Sequence, residues 1–194
     1  MREAVFIFFA YIVGGVPFAY IISRVFSRVD IRKRGSGNVG ATNVLRVVGP
    51  IAGVLVLLLD ILKGFLVVKL APQSIIYVAG LAVIVGHCWT PFLRFKGGKG
   101  VATTLGVLLG INPIFCLFAA SSWIVVFSIF KIVSLSSISA ILILPIILLI
   151  RGEQPFLLSF ITIYSALIIF RHQANLIRLI RGEEKRIKFK KSCK

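Results

Sequence analysis

Two kinds of group that can do chemistry recur in this sequence: cationic donors, and glycines that let the backbone come close to a ligand. They gather in three segments. The densest is Gly86–Thr104, GHCWTPFLRFKGGKGVATT, with four glycines, Arg94, Lys96, Lys99, the histidine His87 and no acid. Gly97-Gly98-Lys99-Gly100 running into Val-Ala-Thr103-Thr reads as a flexible turn that opens a helix. Backbone N–H groups at a helix start, with lysines beside them, make a seat for an anion such as phosphate. A second segment, residues 35–46, sets Ser36, Asn38, Asn43 and Arg46 among glycines. Hydroxyl, amide and guanidinium groups together suit phosphate. Ser36 and Asn38 are helix-capping types, and Asn43 and Arg46, three apart, share a helical face. The third segment, 171–183, sets His172 and Asn175 three apart. It also strings Arg171, Asn175, Arg178 and Gly182 along one stripe of a continuing helix.

Plainer readings compete. The segment 35–46 can be a capped cytoplasmic loop, and the cations of 86–104 plain topological charge. His87 can be a helix-end histidine packed with Trp89 and Pro91. A basic helix end that anchors to headgroups accounts for Arg181 and the lysines from Lys185 on. It accounts less well for His172, Asn175 and Arg178, since an anchor needs neither amide nor imidazole in register. A Walker A loop is excluded, because Gly100 follows Lys99 where Ser or Thr is required and Leu93 stands where its first glycine belongs. The chain carries six acids, and only Asp30, Glu183 and Glu184 fall near these segments. Magnesium is usually held by carboxylates, so metal-dependent phosphoryl transfer is not expected, and no metal or other cofactor is implied. No Gly-x-Ser-x-Gly is present. The chemistry indicated is metal-free handling of anions.

The elements that position these segments are membrane spans. Of 194 residues 58% are hydrophobic and mean hydropathy is +1.01, too apolar for a soluble chain of this length. The net charge of +17 reads as topology rather than nucleic-acid binding, because the cations lie between apolar runs. Anionic headgroups would be drawn to the same face. Apolar runs cover 4–23, 47–70, 74–88, 101–111, 114–130, 133–150 and 156–170. The first is long for a signal peptide and no small-residue cleavage site follows. Asn112-Pro113 breaks the stretch 101–130. With that break there are seven crossings, and one side collects all the lysines and arginines except Arg2, Lys63, Lys69 and Arg151. Without it the basic tail would face outward, against the positive-inside rule. The expected fold is therefore an all-α integral membrane protein. It has seven transmembrane helices, N-terminus outside and C-terminus cytoplasmic. Residues 1–194 form one polytopic domain with three cytoplasmic motif segments, 35–46, 86–104 and 171–183, and a basic tail over 184–194. The run 101–111, about 16 Å long, must be extended by the preceding loop or sit in a thin or protein-lined region. Cys88, Cys116 and Cys193, odd in number and scattered, are expected as thiols. Asp60 and Lys63 can pair at i, i+3, which lowers the cost of burying charge. They are placed toward the outer half of the second span, away from the loops, in a structural role.

In this order the motifs resemble those of the bacterial acyl-phosphate-dependent glycerol-3-phosphate acyltransferases, the PlsY family. The resemblance rests on Gly35-Ser36-Gly-Asn38 through Arg46, on Gly86-His87 through Gly97-Gly98-Lys99-Gly100-Val-Ala-Thr103, and on Arg171-His172 through Asn175, Arg178 and Glu183. Asp60-Ile-Leu-Lys63-Gly64 matches a further family element. It implies an acyltransferase that moves a fatty acyl group from acyl phosphate to the sn-1 hydroxyl of glycerol 3-phosphate. The products are lysophosphatidate and phosphate, in the first step of bacterial phospholipid synthesis. It implies catalytic roles for Ser36, Arg46, His172 and Asn175, and a glycerol 3-phosphate site at Gly97, Gly98, Lys99 and Gly100 with Lys96 beside them. Asn38, Asn43, Thr103, Arg171 and Arg178 join as substrate-binding residues, and Glu183, Asp60, Lys63 and His87 as structural ones. The partners implied are glycerol 3-phosphate, acyl phosphate and membrane lipids, with no nucleic acid. The protein is expected as a monomer in the bacterial plasma (inner) membrane with its site on the cytoplasmic face. Either His172 or a substrate phosphate oxygen could take the hydroxyl proton, and the second is favoured because no carboxylate is visibly placed to orient His172. The alternative function is a transporter or channel for a phosphorylated anion. It fits less well, since transporters set polar groups near the midplane in paired repeats, and no repeat is evident here.

Overall fold

The computed structural model describes residues 1–187. Residues 188–194, most of the basic tail, lie outside the described residues. All regular structure among the described residues is helical, as the apolar runs require: in lipid every backbone N–H and C=O must be bonded internally. Five helical stretches are long and apolar enough to cross a membrane, and a sixth if the bent pair at the C-terminal end counts as one. Residue contacts resolve two compact units, Met1–Cys116 and Leu117–Lys194. The sequence reading treats 1–194 as one domain.

In the first unit, α1 (Arg2–Gly15) and α2 (Phe18–Ser27) share one apolar run broken at Val16-Pro17. Proline lacks the N–H that would continue α1. At the break Gly15 O accepts the Thr90 hydroxyl, and Val16 O takes Lys63 Nζ at 3.3 Å beside the Phe18 N–H at 3.1 Å. Next come α3 (Ala41–Val47), α4 (Pro50–Leu70) and α5 (Ile76–Cys88). The short α6 (Val101–Ile111) follows a loop. Helices α1 and α5 run side by side in the same sense, because Glu3 accepts the Ser74 hydroxyl at one end and Tyr11 Oη donates to Trp89 O at 2.7 Å at the other.

Helix α6 is too short to cross alone, and it is lined by protein. Thr103, Thr104, Gly106, Val107, Leu108 and Gly110 are buried, and α6 lies along the C-terminal half of α4. A Cβ at Gly64 would collide with the Thr103 carbonyl oxygen, and one at Gly106 with that of Ile61. The predicted break is present: α6 ends at Ile111, and Asn112 Oδ1 accepts the Ile114 N–H at 2.9 Å.

The second unit begins within α7 (Pro113–Phe130) and continues through α8 (Val133–Ile150), α9 (Pro155–Arg171) and α10 (Gln173–Ile180). Pro145 lies inside α8 and deprives Ile141 O of its helical partner. Ser165 Oγ of α9 replaces it at 3.0 Å. Helices α9 and α10 meet at 64°. The third segment therefore does not continue the last span. His172 ends α9 and begins α10, at φ −101° and ψ 6°, so Arg171 does not share a helical stripe with Asn175 and Arg178. Cys88 and Cys116 are thiols.

Candidate active site

The segment 35–46 is folded around Asn43. Its side chain is 1% exposed. Oδ1 accepts the Ser36 N–H at 2.9 Å. Nδ2 lies 3.0 Å from both Arg34 O and Asn38 O and 3.2 Å from Ile31 O. The two amide hydrogens are spent on three carbonyls. Asn43 is thus the bracket that shapes the loop. Ser36 and Asn38 do not cap α3; Gly40 takes that position with no side-chain bond. The bracket leaves Ser36 and, one turn on from Asn43 in α3, Arg46 at the surface, both exposed. Asn38 is half-buried. At the segment's entrance, the Arg32 side chain bonds Asp30 at 2.7–3.0 Å and holds its carboxyl down at about 2.

The glycine-rich segment is not an open row of N–H donors. Gly97 N–H donates to Cys88 O at 3.1 Å and Gly98 N–H to His87 O at 3.0 Å. The loop is stitched to the last turn of α5. These two amides are therefore spent within the protein; beside them stand Lys99, half-buried, and Lys96, exposed. Gly100, left-handed at φ 84°, begins α6. Thr103, expected near substrate, is 0% exposed in the packing between α6 and α4, and its hydroxyl has no hydrogen-bond partner.

Asp60 and Lys63 are not remote from the loops. Lys63 Nζ lies 2.7 Å from Asp60 Oδ1 and 2.9 Å from His87 Nδ1. The expected distance from the loops fails because α5 has only 13 residues. It returns from the turn at 71–75 and ends beside the middle of α4, bringing the glycine loop with it. A narrow cavity there is lined by Val39, Asp60, His87, Thr90, Gly97 and Gly98, among others.

In the second unit, His172 is 2% exposed. Its Nδ1 is 2.8 Å from Ile168 O, so Nδ1 carries the proton and Nε2 is the accepting nitrogen of the neutral ring. Asn175 Nδ2 donates to Glu184 Oε1 at 2.6 Å, and Arg178 Nε to Glu184 Oε2 at 2.7 Å. Ser134 Oγ donates to Oε1 at 2.8 Å. Burial favours the neutral acid, but the bonds from Arg178, Asn175 and Ser134 outweigh it and hold the Glu184 carboxyl below its ordinary value. The carboxylate that knits this segment is Glu184, whereas the sequence reading named Glu183, which is exposed. Two adjacent acids follow Gly182, and without a view of the turn spacing could not choose between them. Ser134 carried no signal at all, being one of several serines in an apolar run.

A model of the family described as glycerol-3-phosphate acyltransferase matches residues 4–182. A glycerol-3-phosphate acyltransferase of Staphylococcus haemolyticus is 42% identical, over 97% of this chain and all of the relative. One from Prochlorococcus marinus is 41% identical over 93% of this chain and 96% of the relative. Two crystal structures of PlsY (YgiH), an integral membrane glycerol 3-phosphate acyltransferase, superpose closely. The glycerol 3-phosphate form gives a TM-score of 0.92 at 40% identity, and the lysophosphatidic acid form 0.90 at 39%; each comparison covers 97% of this chain and 96% of the other. With likeness in sequence and fold along its whole length, the chain belongs to the glycerol-3-phosphate acyltransferase family.

Proposed function

We propose that the protein transfers a fatty acyl group from acyl phosphate to the sn-1 hydroxyl of glycerol 3-phosphate. The hydroxyl oxygen bonds to the acyl carbonyl carbon, the bond from that carbon to the phosphate oxygen breaks, and the hydroxyl proton leaves on the released phosphate. Lysophosphatidate and inorganic phosphate result. Phosphate is a competent leaving group once cations meet its charge, so the work is positioning and charge stabilisation. Lys99 binds the phosphate of glycerol 3-phosphate, on a loop whose shape Gly97–Gly100 set, with Lys96 at the rim. Ser36 and Arg46 hold a second phosphate.

The observation that carries this reading is the state of His172. Its ring is buried and held through Nδ1 to a backbone carbonyl, so its orientation is fixed by the fold itself. A carbonyl stabilises an imidazolium less than a carboxylate would. His172 therefore orients the hydroxyl, while a substrate phosphate oxygen takes the proton. Asn175 and Arg178, fixed by Glu184, flank it, and Arg171 ends α9 just before it.

The charge distribution supports seven crossings, with the N-terminus outside and the three segments on the cytoplasmic face of the bacterial inner membrane. On this reading α6 is the protein-lined seventh crossing, lipid gives the acyl tail access, and a monomer suffices. The test is purified protein with palmitoyl phosphate and glycerol 3-phosphate, without metal, following lysophosphatidate and phosphate. Stoichiometric formation of both is expected. No product, or a strict need for acyl-CoA, overturns the reading.

A further inference from the structure

Asp60, Lys63 and His87 form a polar cluster with side chains 3%, 3% and 8% exposed, and the reaction described above makes no direct use of it. Lys63 Nζ reaches Asp60 Oδ1 at 2.7 Å, His87 Nδ1 at 2.9 Å and Val16 O at 3.3 Å. His87 Nδ1 is 3.4 Å from Asp60 Oδ1. A lysine ammonium has donors and no acceptor, so Nδ1 accepts and the neutral ring carries its hydrogen on Nε2. That edge is packed against the glycine loop. A Cβ at Gly98 would collide with His87 Nε2 and lie 2.6 Å from Val39 O. Gly98 is therefore held between the histidine ring and the backbone of the segment 35–46. The carbonyls of His87 and Cys88 take the N–H groups of Gly98 and Gly97. The end of α5 grips the loop by its backbone and by one ring, and Lys63 sets which way that ring presents its proton.

We infer that His87 is a positioning residue for the phosphorylated acceptor. Asp60 holds Lys63, Lys63 orients His87, and His87 fixes Gly97 and Gly98 so that Lys99 stands where the acceptor's phosphate binds. This rests on the reading of that loop as the glycerol 3-phosphate site. The network then sets affinity for glycerol 3-phosphate and leaves the handling of acyl phosphate alone.

The experiment compares His87→Phe, which keeps ring bulk without nitrogen, with His87→Gln, whose amide reaches toward the Nε2 position. The double variant Asp60→Leu with Lys63→Met removes both charges together and leaves no buried ion unpaired. Each is assayed in full-length protein for KM toward both substrates, kcat and melting temperature, with hydrogen exchange of the loop peptide. His87→Phe is expected to raise KM for glycerol 3-phosphate about tenfold or more, with KM for acyl phosphate within about twofold and faster exchange of the loop. His87→Gln should recover most of the loss, and the double variant should fall between. A lower melting temperature with both KM values unchanged, an equal rise in both, or no advantage of Gln over Phe overturns the proposal. Lys99→Met tests the underlying reading separately. If it leaves KM for glycerol 3-phosphate unchanged, the acceptor-site assignment fails. If it raises KM while His87→Phe does not, only the role of His87 fails.

Discussion

Asn175 Nδ2 lies 2.6 Å from Glu184 Oε1, and the same oxygen takes the Ser134 hydroxyl at 2.8 Å. One carboxylate thus ties the turn after α10 to its helix and to the first turn of α8. Glu184→Gln should keep the shape and lose the charge, weakening the bonds from Arg178 and Asn175 together. The sign of its pH effect is set by the direction of the shift. The folded-state carboxyl sits below its ordinary value of 4.5, so its stabilisation is fully present above that value and is lost as pH falls through the folded one. Thermal melting of wild type between pH 7 and 3.5 should show this acid loss. In Glu184→Gln the loss should be smaller and the neutral-pH melting temperature lower. Parallel curves would remove Glu184 from the account.

His172→Gln separates two routes for the proton. Glutamine can still accept a hydrogen bond from a hydroxyl but cannot take its proton at any useful pH. General-base catalysis supplies roughly 10²–10⁴ in rate. If a substrate phosphate takes the proton, kcat should fall by less than that while KM for glycerol 3-phosphate holds. A fall of several orders of magnitude at every pH, with the acceptor still bound, makes His172 the base.

The helices were legible because the physics that forms them is local: an apolar run in lipid has no alternative to helix, and Asn112-Pro113 stops one where it stands. The break at Val16-Pro17 is not legible there, since nothing in a hydropathy run reveals that Lys63, 47 residues on, reaches the Val16 carbonyl. The same blindness misplaced Asp60 and Lys63, because the depth at which α5 ends depends on its packing against α4. Residue types marked Asn43 for the site, but whether an amide faces a ligand or its own loop is decided by where the backbone turns. The adjacent acids Glu183 and Glu184 point to opposite fates for the same reason.

Asn43 gives the cleanest test of a bracket against a ligand. Asn43→Ala leaves three carbonyls and the Ser36 N–H without the amide, at roughly 1–3 kcal/mol for each polar group left buried and unsatisfied. Asn43→Asp should be worse, since a carboxylate would face the carbonyls of Ile31, Arg34 and Asn38. Melting in detergent should rank wild type above Ala above Asp. A substrate ligand would instead raise KM with melting unchanged.

The contact between α4 and α6 makes the last prediction, about what carries the glycine loop. A Cβ at Gly106 would run into Ile61 O and come within 3.0 Å of Phe65 N. Both are backbone atoms of a helix and cannot swing aside as a side chain would. The helices must separate, and overpacking of this kind costs roughly 1–3 kcal/mol or more. Gly152 is the control: it is left-handed at φ +65° with nothing within 4 Å, so alanine there meets only conformational strain of roughly 1–2 kcal/mol. Gly106→Ala should therefore lower the melting temperature at least as far as Gly152→Ala. It should also do what the control cannot. Gly100 is the residue on which α6 begins, so a shift of α6 is passed to Lys99 and should appear as a raised KM for glycerol 3-phosphate. If the two variants melt alike and neither alters KM, the close approach of α4 and α6 is not what places the loop.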